Sequence, residues 1–236
     1  MKLLSIITTK IIKFIYFNFH TKKIINTLSK KKHLNIKFIL DIGAHRGETV
    51  DILRKSFTNP LIYCFEPQYE NFIFLKNKFS KNKKIKVFNY ALGNKNGNET
   101  LRINVDPGTS TIMKFNENSF YLKLKTFLLN KKKVTEIIKG FEKIKIFPLD
   151  NIKFKKNIDM LKIDVEGYEE KVLKGAVKTL LSNNIKVILI EFHLSSMFKN
   201  YNRENIEKLL KKRKYKLDKI IKFPLAKWED RVYVKK

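Results

Sequence analysis

From residue 37 onward, short apolar runs alternate with stretches of helical periodicity, and that alternation leaves few architectures open. Residues 37–42, 61–65, 85–90, 160–163 and 186–192 read as strands, and 48–57, 69–79, 169–181 and 204–212 as helices. Near-continuous apolar strands separated by helices predict a mainly parallel sheet covered on both faces, an α/β fold. Residues 214–221 and 231–234, separated by Pro224, predict late strands and an antiparallel edge strand. Between 104 and 146 the alternation lapses. This stretch holds Pro107-Gly108, a helix candidate near 119–129 and Lys131-Lys132-Lys133, and it is expected to be a lid or binding insertion in the 34–236 domain.

Residues 1–33 form a separate unit in the sequence: apolar, basic, and free of Gly, Pro, Asp and Glu. Lys10 and Lys13 interrupt the apolar stretch and no small-residue cleavage site follows, so a signal peptide is not expected. Nor does any run approach the ~20 apolar residues of a bilayer span. The segment is expected to be a helical arm, packed on the domain or resting on an anionic membrane surface. The protein is accordingly expected in the cytoplasm, with peripheral membrane contact through this arm.

Net charge is +29, from 51 basic and 22 acidic residues, but only six of the basic residues are arginine. Lysine excess of this kind argues against nucleic acid as the specific partner, because arginine makes the bidentate phosphate and guanine contacts. A single cysteine, Cys64, excludes an internal disulfide and a cysteine zinc site.

Glycine is scarce, eight in 236 residues, so its positions carry information. Gly43 and Gly47 flank the turn from the first strand into the first helix, where backbone N–H groups can approach a ligand. The spacing Asp41-x-Gly43-x-x-x-Gly47 fits neither a dinucleotide fingerprint nor a P-loop. Glu66 ends the second strand, 23 residues after Gly43, where a carboxylate can accept hydrogen bonds from both ribose hydroxyls of a nucleoside.

Six segments, in order, then carry a resemblance. They are Asp41-Ile-Gly-Ala-His-Arg-Gly47; Phe65-Glu66-Pro67; Asn89-Tyr-Ala-Leu-Gly93 with Gly97; Leu149-Asp150; Leu161 to Glu169, continuing through Gly175-Ala176; and Ile190-Glu191-Phe192-His193. Together they resemble the FkbM-family methyltransferases over roughly residues 37–195, with Asn in that family commonly standing where this chain has His45. The resemblance implies a Rossmann-like class I methyltransferase fold. It also implies methyl transfer from S-adenosyl-L-methionine to a hydroxyl of a sugar, glycan or related small molecule. Asp41, Gly43, Ala44, Gly47, Glu66, Pro67 and Asn89 are then the expected cofactor residues.

Transfer to an alcohol needs aligned reactants and a base. Asp164 and His193 are expected at carboxyl ends of parallel strands, where ligands of open α/β sheets sit. His193 is the expected base, with Asp164 or Glu191 orienting it or the acceptor. No resident metal is expected, although the carboxylates of Asp164, Glu166 and Glu191 with the His193 imidazole are ligand types that a divalent ion accepts. Two rival readings remain open at this point: an RNA methyltransferase, or a non-catalytic cofactor-binding module associated with a membrane.

Overall fold

The computed structural model describes residues 21–182, 185–222 and 227–236. The first twenty residues of the expected arm, and Pro224, lie outside the described residues.

Seven strands form the main sheet: β1 (Phe38–Ile42), β2 (Leu61–Phe65), β3 (Ile85–Phe88), β7 (Met160–Ile163), β8 (Val187–His193), β9 (Tyr215–Lys222) and β10 (Trp228–Lys235). Their order is β3-β2-β1-β7-β8-β10-β9, and the five from β3 to β8 are parallel. β10 runs antiparallel to both β8 and β9, so the reversed strand lies one place in from the edge.

Every residue of β1 is buried because both faces are covered. Phe38, Leu40 and Ile42 join one core with Leu161, Ile163, Ile188 and Ile190, while Ile39 joins the other with Ile62, Cys64, Met160 and Leu189. The second core is closed by α2 (Glu48–Ser56) through Val50 and Leu53 and by α3 (Tyr69–Lys78) through Leu75. The first is closed by α5 (Glu169–Lys174), α6 (Val177–Ser182) and α7 (Arg203–Lys212), which contribute Leu173, Leu180 and Leu210.

From the arm, α1 (Lys22–Ser29) buries Ile24, Ile25 and Leu28 in the second core. Burying each such side chain is worth about 1.5–3 kcal/mol, so this helix is held on the domain by packing. Among the described residues no helix is long and apolar enough to cross a membrane.

Two features depart from the sequence expectation. The expected helix over 169–181 is two helices, broken at Gly175, where a Cβ would sit 1.7 Å from the Gly93 carbonyl oxygen. Asp150 fills the break: its carboxylate accepts from the N–H groups of Lys178 and Thr179 and starts the second helix. Further, the 104–146 stretch is largely structured. β4 (Ala91–Leu92), β5 (Gly97–Asn104) and β6 (Ile138–Phe147) make a second, three-stranded sheet in the order β4-β6-β5. Helix α4 (Phe120–Leu128), capped by the Ser119 hydroxyl, lies between β5 and β6.

Candidate active site

The chain leaves β1 to build β2 and β3 on one side, then returns to build β7 and β8 on the other. The carboxyl ends of β1 and β7 therefore flank a topological switch point, the place where open α/β sheets bind ligands.

At this point the turn after β1 requires glycine. Gly43 has φ +83°, and a Cβ there would lie 1.9 Å from the Asp164 carbonyl oxygen. The N–H groups of Gly43 and Ala44 do not face a ligand as expected; both donate to the Phe65 carbonyl, at 3.0 and 3.2 Å, and brace β1 against β2. Gly47, at φ +77°, brings α2 against Leu75 and Phe79. His45 also lies in the left-handed region, φ 47°, where asparagine is at ease, and its Nδ1 sits 3.1 Å from Glu48 Oε1.

Glu66 is the acceptor at this end of the sheet. Its Oε2 accepts from the His45 N–H (2.8 Å) and its Oε1 from the Gln68 N–H (2.9 Å). A carboxylate has about four lone-pair sites, so two remain for hydroxyl donors. Burial raises the Glu66 carboxyl to about 7, outweighing the two N–H groups and the lowering influence of His45 and Lys162. The Asn89 amide donates to the carbonyls of Glu66 (3.1 Å) and Pro67 (2.9 Å), so Asn89 and Pro67 fix the orientation of Glu66.

Asp41 has no exposed surface and works through Lys162. The Lys162 ammonium lies 3.2 Å from both Asp41 Oδ1 and Asp164 Oδ2 and donates to the Gly43 carbonyl at 3.0 Å. It ties the end of β1 to the end of β7. Burial disfavours the charge on Lys162, but Asp164 and Asp41 together raise its proton affinity well above the ordinary value.

Beyond Asp164 the chain makes a turn with two left-handed residues, Glu166 (φ 52°) and Gly167 (φ 94°). Such a conformation at a glutamate needs support. It comes from Glu169 Oε1, which accepts from the Val165 and Gly167 N–H groups, and from the Thr111 hydroxyl, which donates to the Glu166 carbonyl at 2.6 Å. The turn delivers the Glu166 carboxylate to β8, where Glu191 and His193 share one face. His193 Nε2 lies 3.9 Å from Glu166 Oε2 and 3.6 Å from Glu191 Oε1. From sequence, Glu166 groups with Asp164, Glu191 and His193 only as a possible metal-ligand set, without the turn that brings its side chain to β8.

The imidazole is clamped. His193 is 3% exposed, its ring meets Phe198 and Tyr201 edge-on, and its backbone N–H donates to the Tyr201 hydroxyl at 3.1 Å. Burial drives it down to about 4 despite the pull of Asp164, so it is neutral at pH 7. Burial pushes Glu166 up to about 8; Lys125 on α4 resists, while Asp164, Glu169 and Asp106 add to the rise. Glu191 is also driven well above the carboxylate range, by burial and then by Asp164 and Glu166. The cluster is thus short of positive charge, and its carboxylates hold protons more tightly than ordinary ones.

A family model described as the methyltransferase FkbM domain matches residues 41–217. No curated protein matches the sequence. Among solved structures, the SAM-bound magnesium protoporphyrin IX methyltransferase of Synechocystis PCC 6803 aligns with TM-score 0.53 and 9% identity, covering 92% of this chain and 78% of that one. The SAH-bound form of the same enzyme aligns with TM-score 0.53 and 8% identity, covering 92% and 81%. At such identity the likeness speaks for the fold, a class I methyltransferase sheet.

Proposed function

This chain belongs to the FkbM methyltransferase family, and on that basis we propose that it methylates a hydroxyl oxygen of a sugar, glycan or related small molecule, using S-adenosyl-L-methionine. The residues fit that cofactor: Glu66, at the end of β2 beside the turn after β1, keeps two acceptor sites for the ribose hydroxyls. When bound, the cofactor supplies an electrophilic methyl group on a sulfonium and leaves as the thioether.

The observation that carries the hydroxyl reading is the position of the titratable cluster. Gly43 touches Asp164, and two residues further Glu166 meets Glu191 and His193. Proton acceptors therefore stand directly beside the cofactor end of the cleft. A hydroxyl entering there loses its proton to this set as its oxygen takes the methyl group. Within the set, His193 (about 4) is unprotonated at pH 7, and Glu166 (about 8) takes up a proton only where it is ionised. His193 then serves as a neutral acceptor that orients the hydroxyl, and Asp164, pinned by Lys162, fixes the turn.

The test is transfer of labelled methyl from S-adenosyl-L-methionine to oligosaccharides, lipids and RNA supplied in parallel. Label in an ether-linked, base-stable methyl group on carbohydrate supports the reading. Label confined to RNA overturns the acceptor class, and cofactor binding without transfer to any of the three supports the non-catalytic module.

A further inference from the structure

We propose that Glu166, Glu191 and His193 form a binding site for one divalent metal ion of the kind that accepts mixed carboxylate and imidazole ligands. One ligand atom from each residue lies within 4.8 Å of the other two. The two resolved separations, 3.6 and 3.9 Å, are too long for hydrogen bonds. They are of the length expected between ligands of a single ion: two atoms at about 2.1 Å from a metal stand about 3.0 Å apart at a right angle and about 4.2 Å apart when opposed.

His193 supplies an independent pointer. Its Nε2 is buried and faces the two carboxylates, and it has no hydrogen-bond partner among the described residues. A buried polar atom without a partner is costly, and a neutral imidazole nitrogen is a common metal ligand. The ring cannot turn away easily, since Phe198 and Tyr201 hold it edge-on. The Glu166 carboxylate is positioned by a turn that Thr111 and Glu169 lock, and Glu191 and His193 sit two residues apart on one strand. Outer contacts that fix the ligands before an ion arrives are a regular part of metal sites. Two carboxylates match a double positive charge, and oxygen ligands with one imidazole suit manganese, magnesium, iron(II) or zinc. Glu166 is the most exposed of the three, which gives the ion and an acceptor hydroxyl a way in.

On the methyl-transfer reading above, the ion would ligate the acceptor hydroxyl and lower its pKa. The O–H bond then breaks with its proton passing to solvent, the O–CH3 bond forms, and the S–CH3 pair returns to sulfur. Metal binding itself does not depend on that reading, and the experiment separates the two.

Full-length protein, freed of metal with a chelator, is titrated with Mn2+ while free Mn2+ is followed by electron paramagnetic resonance. S-adenosylhomocysteine affinity is measured on the same samples. We expect one Mn2+ per chain, competed by Mg2+ or Zn2+, with nitrogen coupling in the pulsed spectrum of the bound ion. Glu191→Gln and His193→Gln should each weaken binding by at least about tenfold, and His193→Gln should remove the nitrogen coupling. Glu66→Ala should leave Mn2+ affinity unchanged. Absence of stoichiometric Mn2+ binding to wild-type protein overturns the site, as does a bound ion without nitrogen coupling. The latter holds even where a variant fails to fold. S-adenosylhomocysteine binding without Mn2+ binding refutes the metal site and leaves the cofactor reading intact; Mn2+ binding without S-adenosylhomocysteine binding does the reverse.

Discussion

Removing the Glu66 carboxylate should weaken cofactor binding, and because it also takes the acceptor from the His45 and Gln68 N–H groups, affinity is to be read on protein shown to be folded. In the free protein the carboxylate accepts two backbone N–H bonds, from His45 and Gln68, and has two acceptor sites left. Ribose hydroxyls filling those sites would make hydrogen bonds to a charged group, worth about 1.5–3 kcal/mol, which corresponds to about 10–150-fold in Kd. Glu66→Ala should therefore raise the Kd for S-adenosyl-L-methionine by that factor, read by titration calorimetry. Glu66→Gln is not a gentle control. Its amide has one oxygen and one NH2, so one of the two backbone N–H groups would face another donor, at about 1–3 kcal/mol of stability. The pH dependence gives a sharper handle. Hydroxyl donors favour the ionised carboxylate, and with Glu66 at about 7 the ionised fraction rises about tenfold between pH 6 and pH 8. Wild-type affinity should rise by about that factor, and Glu66→Ala should lose this component. A folded Glu66→Ala protein with wild-type affinity and a wild-type pH profile would refute the placement of the ribose.

Other expectations concern the fold around the site. Lys162→Met leaves the buried Asp41 and the partly exposed Asp164 without their shared cation, so urea unfolding should show a loss of about 3–5 kcal/mol; a loss below about 1 kcal/mol would mean the triad is not coupled. Gly175→Ala places a Cβ 1.7 Å from the Gly93 carbonyl oxygen and should destabilise by about 1–3 kcal/mol, whereas Gly140→Ala, with nothing within 4 Å, should be nearly neutral. Equal thermal stability of the two variants would contradict the close Gly93–Gly175 approach. The ligand-free protein should also lose stability between pH 6.5 and 8. Glu66 and Glu169 (about 7) and Glu166 (about 8) bind protons in the folded state that the unfolded chain has already released above about 4.5, so stability falls as pH rises through the folded values. His193, lowered to about 4, acts in the opposite direction but only below about 6.5. The net fall should be about 2–3 kcal/mol, and a flat or rising melting temperature across that window would show that these carboxyls are ionised in the folded protein.

The main sheet was legible because its central strands are buried on both faces and so carry unbroken apolar runs, as Phe38–Ile42 does. The register of Glu66 with Gly43 followed from strand ends alone, since both close parallel neighbours. The second sheet was hidden by lysine. In β6 the inward Ile144 and Ile146 alternate with Lys143 and Lys145, a two-residue period that reads as polar loop in so basic a chain. The break at Gly175 depends on a contact with Gly93, 82 residues away, which no local pattern records. The reach of Glu166 to the cluster was likewise beyond any local pattern, although its residue type made it a possible ligand. Its side chain reaches β8 only because Thr111, from the irregular stretch after β5, and Glu169 hold a glutamate in the left-handed region.

A crystal structure with S-adenosylhomocysteine bound tests the union of the two halves of the site most directly. The ribose hydroxyls should lie within about 3.2 Å of the Glu66 carboxylate. The thioether sulfur should face the space bounded by Asp164, Glu166 and His193, so that a methyl group on it would point at the cluster. A nucleoside bound elsewhere, or a sulfur turned away from Glu166 and His193, would contradict the assignment of this cleft to methyl transfer.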